Sequence, residues 1–119
     1  MTDQIELIDE DVFLEEYEGC VDILETMLPK FELGIQESLS KLRAYLANND
    51  AAQAKEELHS LKGMVSNFYS PRLNHLAVSM EKKAKSGNLD EIPEMLAQFE
   101  ENCPQVMKII SGYIEKYGA

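Results

Sequence analysis

The sequence predicts an all-α protein, an antiparallel up-and-down four-helix bundle with a short additional N-terminal helix. Apolar residues recur at helical spacing along most of the chain, and no segment of useful length alternates apolar and polar residues as a half-buried strand would. The connections between the helical segments are short, which places consecutive helices antiparallel to each other. The 119 residues suffice for one hydrophobic core, so we expect a single domain over residues 1–119.

The first two helices are placed by their capping and breaking residues. Asp9 is a candidate N-cap for a short helix over residues 10–17, and Gly19 breaks the chain after it. A long helix then spans about Val21 to Ala47. Pro29 lies inside this helix and should kink it or split it into two pieces.

The third and fourth helices are opened by polar caps. Asp50 and Gln53 resemble a capping box at the start of the third helix, whose helical pattern continues to Ser70. Ser70 then serves as the N-cap of the fourth helix, with Pro71 at its first position. The fourth helix ends before Gly87, which occupies the C′ position.

The last predicted helix begins after Asp90, its candidate N-cap, and Pro104 should interrupt it.

The two cysteines of the chain, Cys20 and Cys103, are too few and too far apart for a disulfide framework. We therefore expect two buried thiols.

The composition excludes several classes of function. The formal charge is −11, from 22 acidic and 11 basic residues, which argues against nucleic acid as a partner. No apolar run has membrane length, and no N-terminal segment resembles a secretion signal. We therefore expect a globular protein in the cytoplasm that does not insert into a membrane.

The strongest functional signal is the segment at residues 57–63 of the third helix. At about 100° per residue, His59 lies on the order of 150° from the centre of the apolar stripe, so its ring should face solvent. Polar or small residues surround it at spacings of one to two turns: Lys55, Lys62, Gly63 and Ser66. A glycine inside a helix costs about 1 kcal/mol relative to alanine. Gly63 therefore either clears space beside the imidazole or permits the close approach of a neighbouring helix.

A solvated histidine next to a lysine suits phosphoryl chemistry. The imidazole is a nucleophile near neutral pH, and Lys62, with Lys55, could compensate the charge of a phosphoryl group. Glu81 lies on the flank of the apolar stripe of the fourth helix, from which it could hold the ring nitrogen that does not react. The chain has no glycine-rich nucleotide motif, so we expect no ATP site, and a phosphoryl group would have to come from another protein.

A metal site is the competing interpretation of this segment. Glu56 and His59 have the Glu-x-x-His spacing of di-iron bundle proteins, but that site needs inward-facing ligands and a second copy. Around the second histidine, His75, the position three residues earlier is Arg72, so no second copy exists. We expect no metal, and we expect His75 to be an ordinary exposed histidine.

The run His59-x-Leu61-Lys62-Gly63 resembles the histidine-containing phosphotransfer (HPt) domain of two-component phosphorelays. The resemblance extends over nearly the whole chain and includes these further positions: Phe31, Asp50, Asn67, Leu73, Met80 and Glu81. It implies that His59 is the phosphoacceptor and that Lys62 stabilises the phosphoryl group. It also implies that Gly63 gives access to the imidazole and that Glu81 orients the ring. Leu58 and Tyr69 depart from the family pattern, which usually has alanine and glycine there.

The resemblance further implies the partners. His59 would accept a phosphoryl group from an aspartyl phosphate on one receiver domain, such as that of a hybrid sensor histidine kinase, and would pass it to another response-regulator receiver. The receivers would supply Mg²⁺, so we expect no cofactor on this chain, and we expect a monomer. The following residues are candidates for contact with the partner: Lys55, Ser66, Tyr69, Val12 and Phe13. Val12 and Phe13 either cap the bundle or belong to an apolar patch that a receiver covers.

Two other functions stay open at this point. A non-catalytic helical adaptor would dock receiver domains equally well with His59 replaced. The phosphoacceptor domain of a chemotaxis-type histidine kinase has the same bundle and a similar His-x-x-Lys-Gly run, but its gene would continue into an ATP-binding domain. We expect a free-standing phosphocarrier and not an enzyme with its own turnover.

Overall fold

The computed structural model describes residues 4–118, and five α-helices without any strand make up its regular structure over this range, together with short 3₁₀ turns. The helices are α1 (Glu10–Glu16), α2 (Val21–Ala47), α3 (Ala51–Val65), α4 (Pro71–Lys85) and α5 (Ile92–Tyr117). A 3₁₀ helix, Ser66–Phe68, follows α3 directly. The all-α prediction is therefore confirmed.

Side-chain caps begin three of the helices where the sequence predicts them. Asp9, Asp50 and Ser70 each accept a hydrogen bond from the backbone N–H three residues ahead, at 3.3, 3.1 and 3.2 Å. Gly19 and Gly87 follow α1 and α4 with φ angles of +77° and +82°. Only glycine adopts this left-handed conformation at little cost, so these two residues end the helices.

The predicted split of α2, the predicted interruption of α5 and the N-cap predicted at Asp90 are wrong, whereas a kink at Pro29 stays a prediction. Pro29 does not split α2, and Pro104 does not interrupt α5; both lie inside continuous helices. A proline removes one backbone hydrogen bond, but both helices bury apolar residues before and after it, and that packing outweighs the local cost. The N-cap of α5 is Glu91, without a side-chain hydrogen bond, and Asp90 lies one residue too early in the turn.

The core is enclosed by the four long helices. Helix α3 packs against α2 and α4, and α5 packs against α4 and α2, which closes the bundle. The largest side chains that are fully buried come from every helix: Phe13, Leu24, Leu42, Leu58, Leu61, Met80, Phe99 and Ile110. One continuous core thus serves residues 4–118, while the extent of the domain over residues 1–119 stays a prediction.

Helix α1 crosses the end of the bundle next to the junction of α3 and α4. The backbone N–H of Asp9 donates to the carbonyl of Tyr69 at 2.7 Å, and the Tyr17 hydroxyl donates to the carbonyl of Asn67 at 2.8 Å. The Arg72 guanidinium donates to the carbonyl of Ile5 at 2.8 Å. These contacts fix α1 beside the segment that follows the histidine helix.

The cysteines are free thiols, but only one of them is buried. Burial raises the pKa of the Cys103 thiol to about 11. Cys20 is half-buried, because it lies at the turn before α2 and not on an inward helix face. The prediction of two buried thiols is therefore wrong for Cys20.

None of the helices described over residues 4–118 combines the length and apolarity that crossing a membrane requires.

Candidate functional site

His59 stands on the outer face of α3, as its helical position predicts. Its side chain is 72% exposed, whereas Leu58 and Leu61 on either side of it are completely buried. The apolar stripe of α3 fixes this orientation, because turning the helix to bury His59 would expose those two leucines.

The imidazole is held from one side by Glu81 of α4. His59 Nδ1 lies 2.8 Å from Glu81 Oε2. An ionised carboxylate can only accept a hydrogen bond, so Nδ1 carries the hydrogen. The lone pair then resides on Nε2, at the exposed end of the ring.

The same carboxylate also binds Lys62. Lys62 Nζ donates to Glu81 Oε1 at 2.8 Å, and both side chains are largely covered, with 32% and 18% of their surface exposed. The hydrogen bond from Lys62 lowers the pKa of Glu81 most strongly, partial burial opposes it, and His59 lowers it further. Glu81 is therefore ionised at neutral pH. Glu81 thus joins the two residues that the sequence places on one face of α3.

Gly63 lies in open space. A Cβ atom built on it would meet no atom within 4 Å among the described residues. A close approach of a neighbouring helix therefore does not explain Gly63, and open access beside His59 stays a prediction. Packing is tighter at Gly34 of α2, where a Cβ would lie 3.0 Å from Met64 Sδ.

A shallow depression lies beside the imidazole on the side away from Gly63. It is lined by Lys55, Glu56, His59, Glu81 and Lys85. Lys85 was missed by the sequence reasoning, although it stands four residues after Glu81 and hence on the same face of α4. Two lysines, one from each helix, therefore lie on this side of the ring together with the carboxylates of Glu56 and Glu81.

The candidate partner-binding residues divide into exposed and covered ones. Lys55 and Ser66 are exposed, and Val12 is 37% exposed. Phe13 is only 1% exposed, so its ring belongs to the core and is not available to a partner. The apolar face of α1 faces the bundle there, which supports the capping interpretation for Phe13.

Tyr69 does not continue the histidine helix. Helix α3 ends at Val65, and Tyr69 adopts a left-handed conformation with φ +51° after the 3₁₀ turn. The prediction that the helical pattern of the third helix continues to Ser70 is therefore wrong beyond the 3₁₀ turn. The Tyr69 ring packs edge-on against Phe13 and Tyr17 at 6.4 and 6.3 Å. Tyr69 still borders a second shallow depression that also includes Val12 and Ser66.

The structure also shows where the second histidine lies and whether the described residues are arranged to hold a metal ion. His75 is exposed on α4, as predicted. Over residues 4–118 no group of three or more histidine, cysteine, aspartate or glutamate side chains is arranged to hold a metal ion. Because His59 points outward, it does not meet the inward geometry that the di-iron pattern needs.

Comparisons with known proteins agree with this geometry. The sequence profile of the Hpt domain matches residues 11–108. The crystal structure of histidine-containing phosphotransfer protein B (HptB) from Pseudomonas aeruginosa PAO1 is similar, with a TM-score of 0.83 and 27% sequence identity. The similarity covers 93% of this chain and 96% of that one. A comparison with curated proteins gave no significant match.

The match to the family profile covers most of the bundle, including α3 and α4 with the exposed histidine. Proteins of this family are phosphocarriers that interact with receiver domains and histidine kinases. The chain therefore belongs to the Hpt family, and its function is histidine phosphotransfer in phosphorelay signalling.

Proposed function

We propose that His59 is the residue that carries the phosphoryl group, relaying it between the aspartates of two receiver domains. One observation supports this most directly: Glu81 holds Nδ1 at 2.8 Å while the rest of the ring is open to solvent. A fixed Nδ1–H leaves Nε2 as the nucleophile and aims it outward, where a folded receiver can reach it.

The transfer step needs no proton movement on this chain. The Nε2 lone pair attacks the phosphorus of an aspartyl phosphate, the bond between phosphorus and the aspartate oxygen breaks, and the aspartate leaves with the electron pair. The ring keeps its Nδ1 hydrogen and becomes cationic, and the Glu81 carboxylate balances that charge. Attack by the aspartate of a second receiver then breaks the phosphorus–nitrogen bond and returns the electron pair to Nε2.

Lys62 would change partners during this cycle. Before transfer, its ammonium group is bound to Glu81 Oε1. Once a phosphoryl group occupies Nε2, the flexible lysine would swing to the phosphoryl oxygens while Glu81 stays with the cationic ring. Gly63 leaves the space beside the ring open for this exchange.

The partners and setting follow from the same proposal. The donor is the receiver of a hybrid sensor histidine kinase, the acceptor is a response regulator, and Mg²⁺ belongs to the receivers. We propose that the chain works in the cytoplasm as a monomer, without a cofactor, an ATP site or a nucleic-acid partner. The lack of a nucleotide motif and the acidic charge of −11 support this proposal.

The test is phosphotransfer from a phosphorylated receiver. The wild-type protein and the variant His75→Gln should become labelled, whereas His59→Gln should not. Both substituted side chains are exposed, so we expect changes in the free energy of unfolding within about 0.5 kcal/mol. Equal labelling of His59→Gln would disprove the assignment of His59. Receiver binding without labelling of the wild type would instead indicate the adaptor function.

A further inference from the structure

The net charge of the chain is concentrated at one end. The first 29 residues contain ten acidic and no basic side chains, whereas the other 90 contain twelve acidic and eleven basic ones. Ten of the eleven net negative charges therefore lie before Lys30. In the structure, this part of the sequence includes all of α1 and the first turns of α2. That end of the bundle thus carries a strong negative potential.

An apolar pocket of about 480 Å³ opens at this same end. It lies between α1, the start of α2 and the end of α5. Phe13 and Leu24 line it and are each only 1% exposed, and Tyr117 lines it while 45% exposed. Its size is in the range of pockets that take a small ligand or a few side chains of a partner.

The lining of the pocket suits a cation with an apolar stem. Tyr113 and Tyr117 form the accessible aromatic wall, with ring centroids 6.4 Å apart, and the buried Phe13 ring packs against Tyr113 at 5.3 Å. Lys116 Nζ already lies 5.3 Å from the centroid of the Tyr117 ring, so this ring accepts an ammonium group. Glu15 adds negative charge to the lining.

The charged side chains that line the pocket itself are all acidic. Glu18 also lines it, and no basic side chain is among its lining residues in the described part of the chain. Burial raises the pKa of the Tyr113 hydroxyl most strongly, and the nearby Glu10 carboxylate raises it further. A bound cation would therefore meet acidic groups from α1 at several points.

We propose that this pocket is a docking site for a basic segment of a partner protein. The stem of one arginine or lysine, or an adjacent apolar residue, enters the aromatic pocket, and further basic residues of the segment lie against the acidic face of α1. Ten negative charges suit several cations in one ligand better than a single small cation, which one glutamate would already neutralise. None of the residues that line this pocket also lines the depression beside His59. The proposal therefore does not depend on the assignment of His59.

The test uses the full chain and an amidated seven-residue peptide of three arginines, two lysines and two leucines. Amide chemical shifts should change around Leu14, Gly19 and Tyr113. The double variant Glu15→Gln/Glu18→Gln should weaken binding about three- to tenfold at low salt, since it removes two carboxylates from the pocket. Tyr117→Ala should weaken it about two- to fivefold, as expected for the loss of one aromatic contact to a cation.

Matched controls distinguish binding of the peptide at this pocket from general electrostatic attraction to the acidic protein. Glu94→Gln/Glu101→Gln removes the same charge from exposed positions of α5, and Leu33→Ala trims an exposed apolar side chain of α2. Both controls should retain the affinity of the wild type. The proposal is overturned if they weaken binding as much as the pocket variants do. It is also overturned if the amide chemical shifts that change on peptide binding belong to residues away from the pocket. The same holds if benzyltrimethylammonium, a single small cation, binds in the pocket as tightly as the peptide.

Discussion

At the scale of single residues, Glu81 determines the chemical character of this site. Its two oxygens bind two different cations or potential cations, His59 Nδ1 and Lys62 Nζ, each at 2.8 Å. A glutamine could still accept a hydrogen bond from the ring. It could not hold Lys62 by charge, and it could not balance a cationic phosphorylated ring.

The variant Glu81→Gln should therefore label at His59 but transfer more slowly, by about fivefold. A hydrogen bond to a charged acceptor exceeds one to a neutral acceptor by about 1 kcal/mol, and that difference acts where the ring becomes cationic. Single-turnover transfer from a phosphorylated receiver measures this rate. Glu91→Gln removes a comparable carboxylate, which pairs with Lys83 at 2.6 Å and makes no contact with His59 in the structure, and its rate should equal that of the wild type.

The same substitution predicts a change in the pH dependence of stability. The pKa of Glu81 lies below its ordinary value of 4.5 in the folded protein, so the ionised carboxylate stabilises the fold. This contribution is complete above about pH 4.5 and is lost as the pH falls through the lowered pKa. Urea unfolding from pH 7 to pH 3 should show wild type and Glu81→Gln converging at the acidic end. A constant difference in the free energy of unfolding between the two proteins over this range would contradict the lowered pKa of Glu81.

At the scale of secondary-structure elements, α3 contains a glycine that lowers its helix propensity, and we propose that this glycine gives access to His59. Gly63 weakens an exposed turn of the helix, and the space where its Cβ would lie is empty. Gly112 of α5 is the natural comparison, because it is also exposed and a Cβ there would also meet no described atom within 4 Å.

Gly63→Ala should therefore stabilise the protein by about 0.5–1 kcal/mol and yet slow phosphotransfer. We expect roughly tenfold slower transfer, because a methyl group beside the ring hinders the approach of reacting atoms to about 3–3.5 Å. Gly112→Ala should give a similar gain in stability at the unfolding midpoint without any change in rate. Unchanged transfer by Gly63→Ala would mean that access does not explain this glycine.

Helix α1 is the element whose position was least predictable. Its cap at Asp9 is visible in the sequence, but its place on the bundle depends on contacts across about 50 residues of chain. Tyr17 donates to the carbonyl of Asn67, and the Tyr69 ring packs against Tyr17 and Phe13. Such contacts leave no periodic signal, so the sequence alone could not separate the buried Phe13 from the partly exposed Val12.

At the scale of the whole molecule, one core and an uneven charge distribution describe the protein. The bundle places the histidine site on the α3–α4 face, with Lys55 and Lys85 beside it. Ten of the eleven net negative charges belong to the first 29 residues, which include α1 and the start of α2. The molecule therefore offers two surfaces of different electrostatic character to its partners.

The core tolerates little change directly beneath the site. Leu58 precedes His59 and is completely buried. Leu58→Ala should reduce the free energy of unfolding by about 2–5 kcal/mol, because it leaves a cavity in a packed interior. Denaturant unfolding measures the loss, and Leu33→Ala, at a position that is 59% exposed, should change it little. A loss below about 1 kcal/mol would mean that the core collapses around the smaller side chain.

The sequence by itself determined the positions of the helices, three of their caps and the exposure of His59. These depend on spacings within one helix, and local periodicity records such spacings directly. The tertiary structure alone decided that Glu81, which the sequence predicts to hold the His59 ring, also binds Lys62, and that α2 and α5 run unbroken through their prolines. It also decided that Tyr69 leaves the helix and that an aromatic pocket forms beside α1. Each of these depends on packing between segments distant in the chain, and that packing energy overrides local propensity without leaving a pattern in either segment.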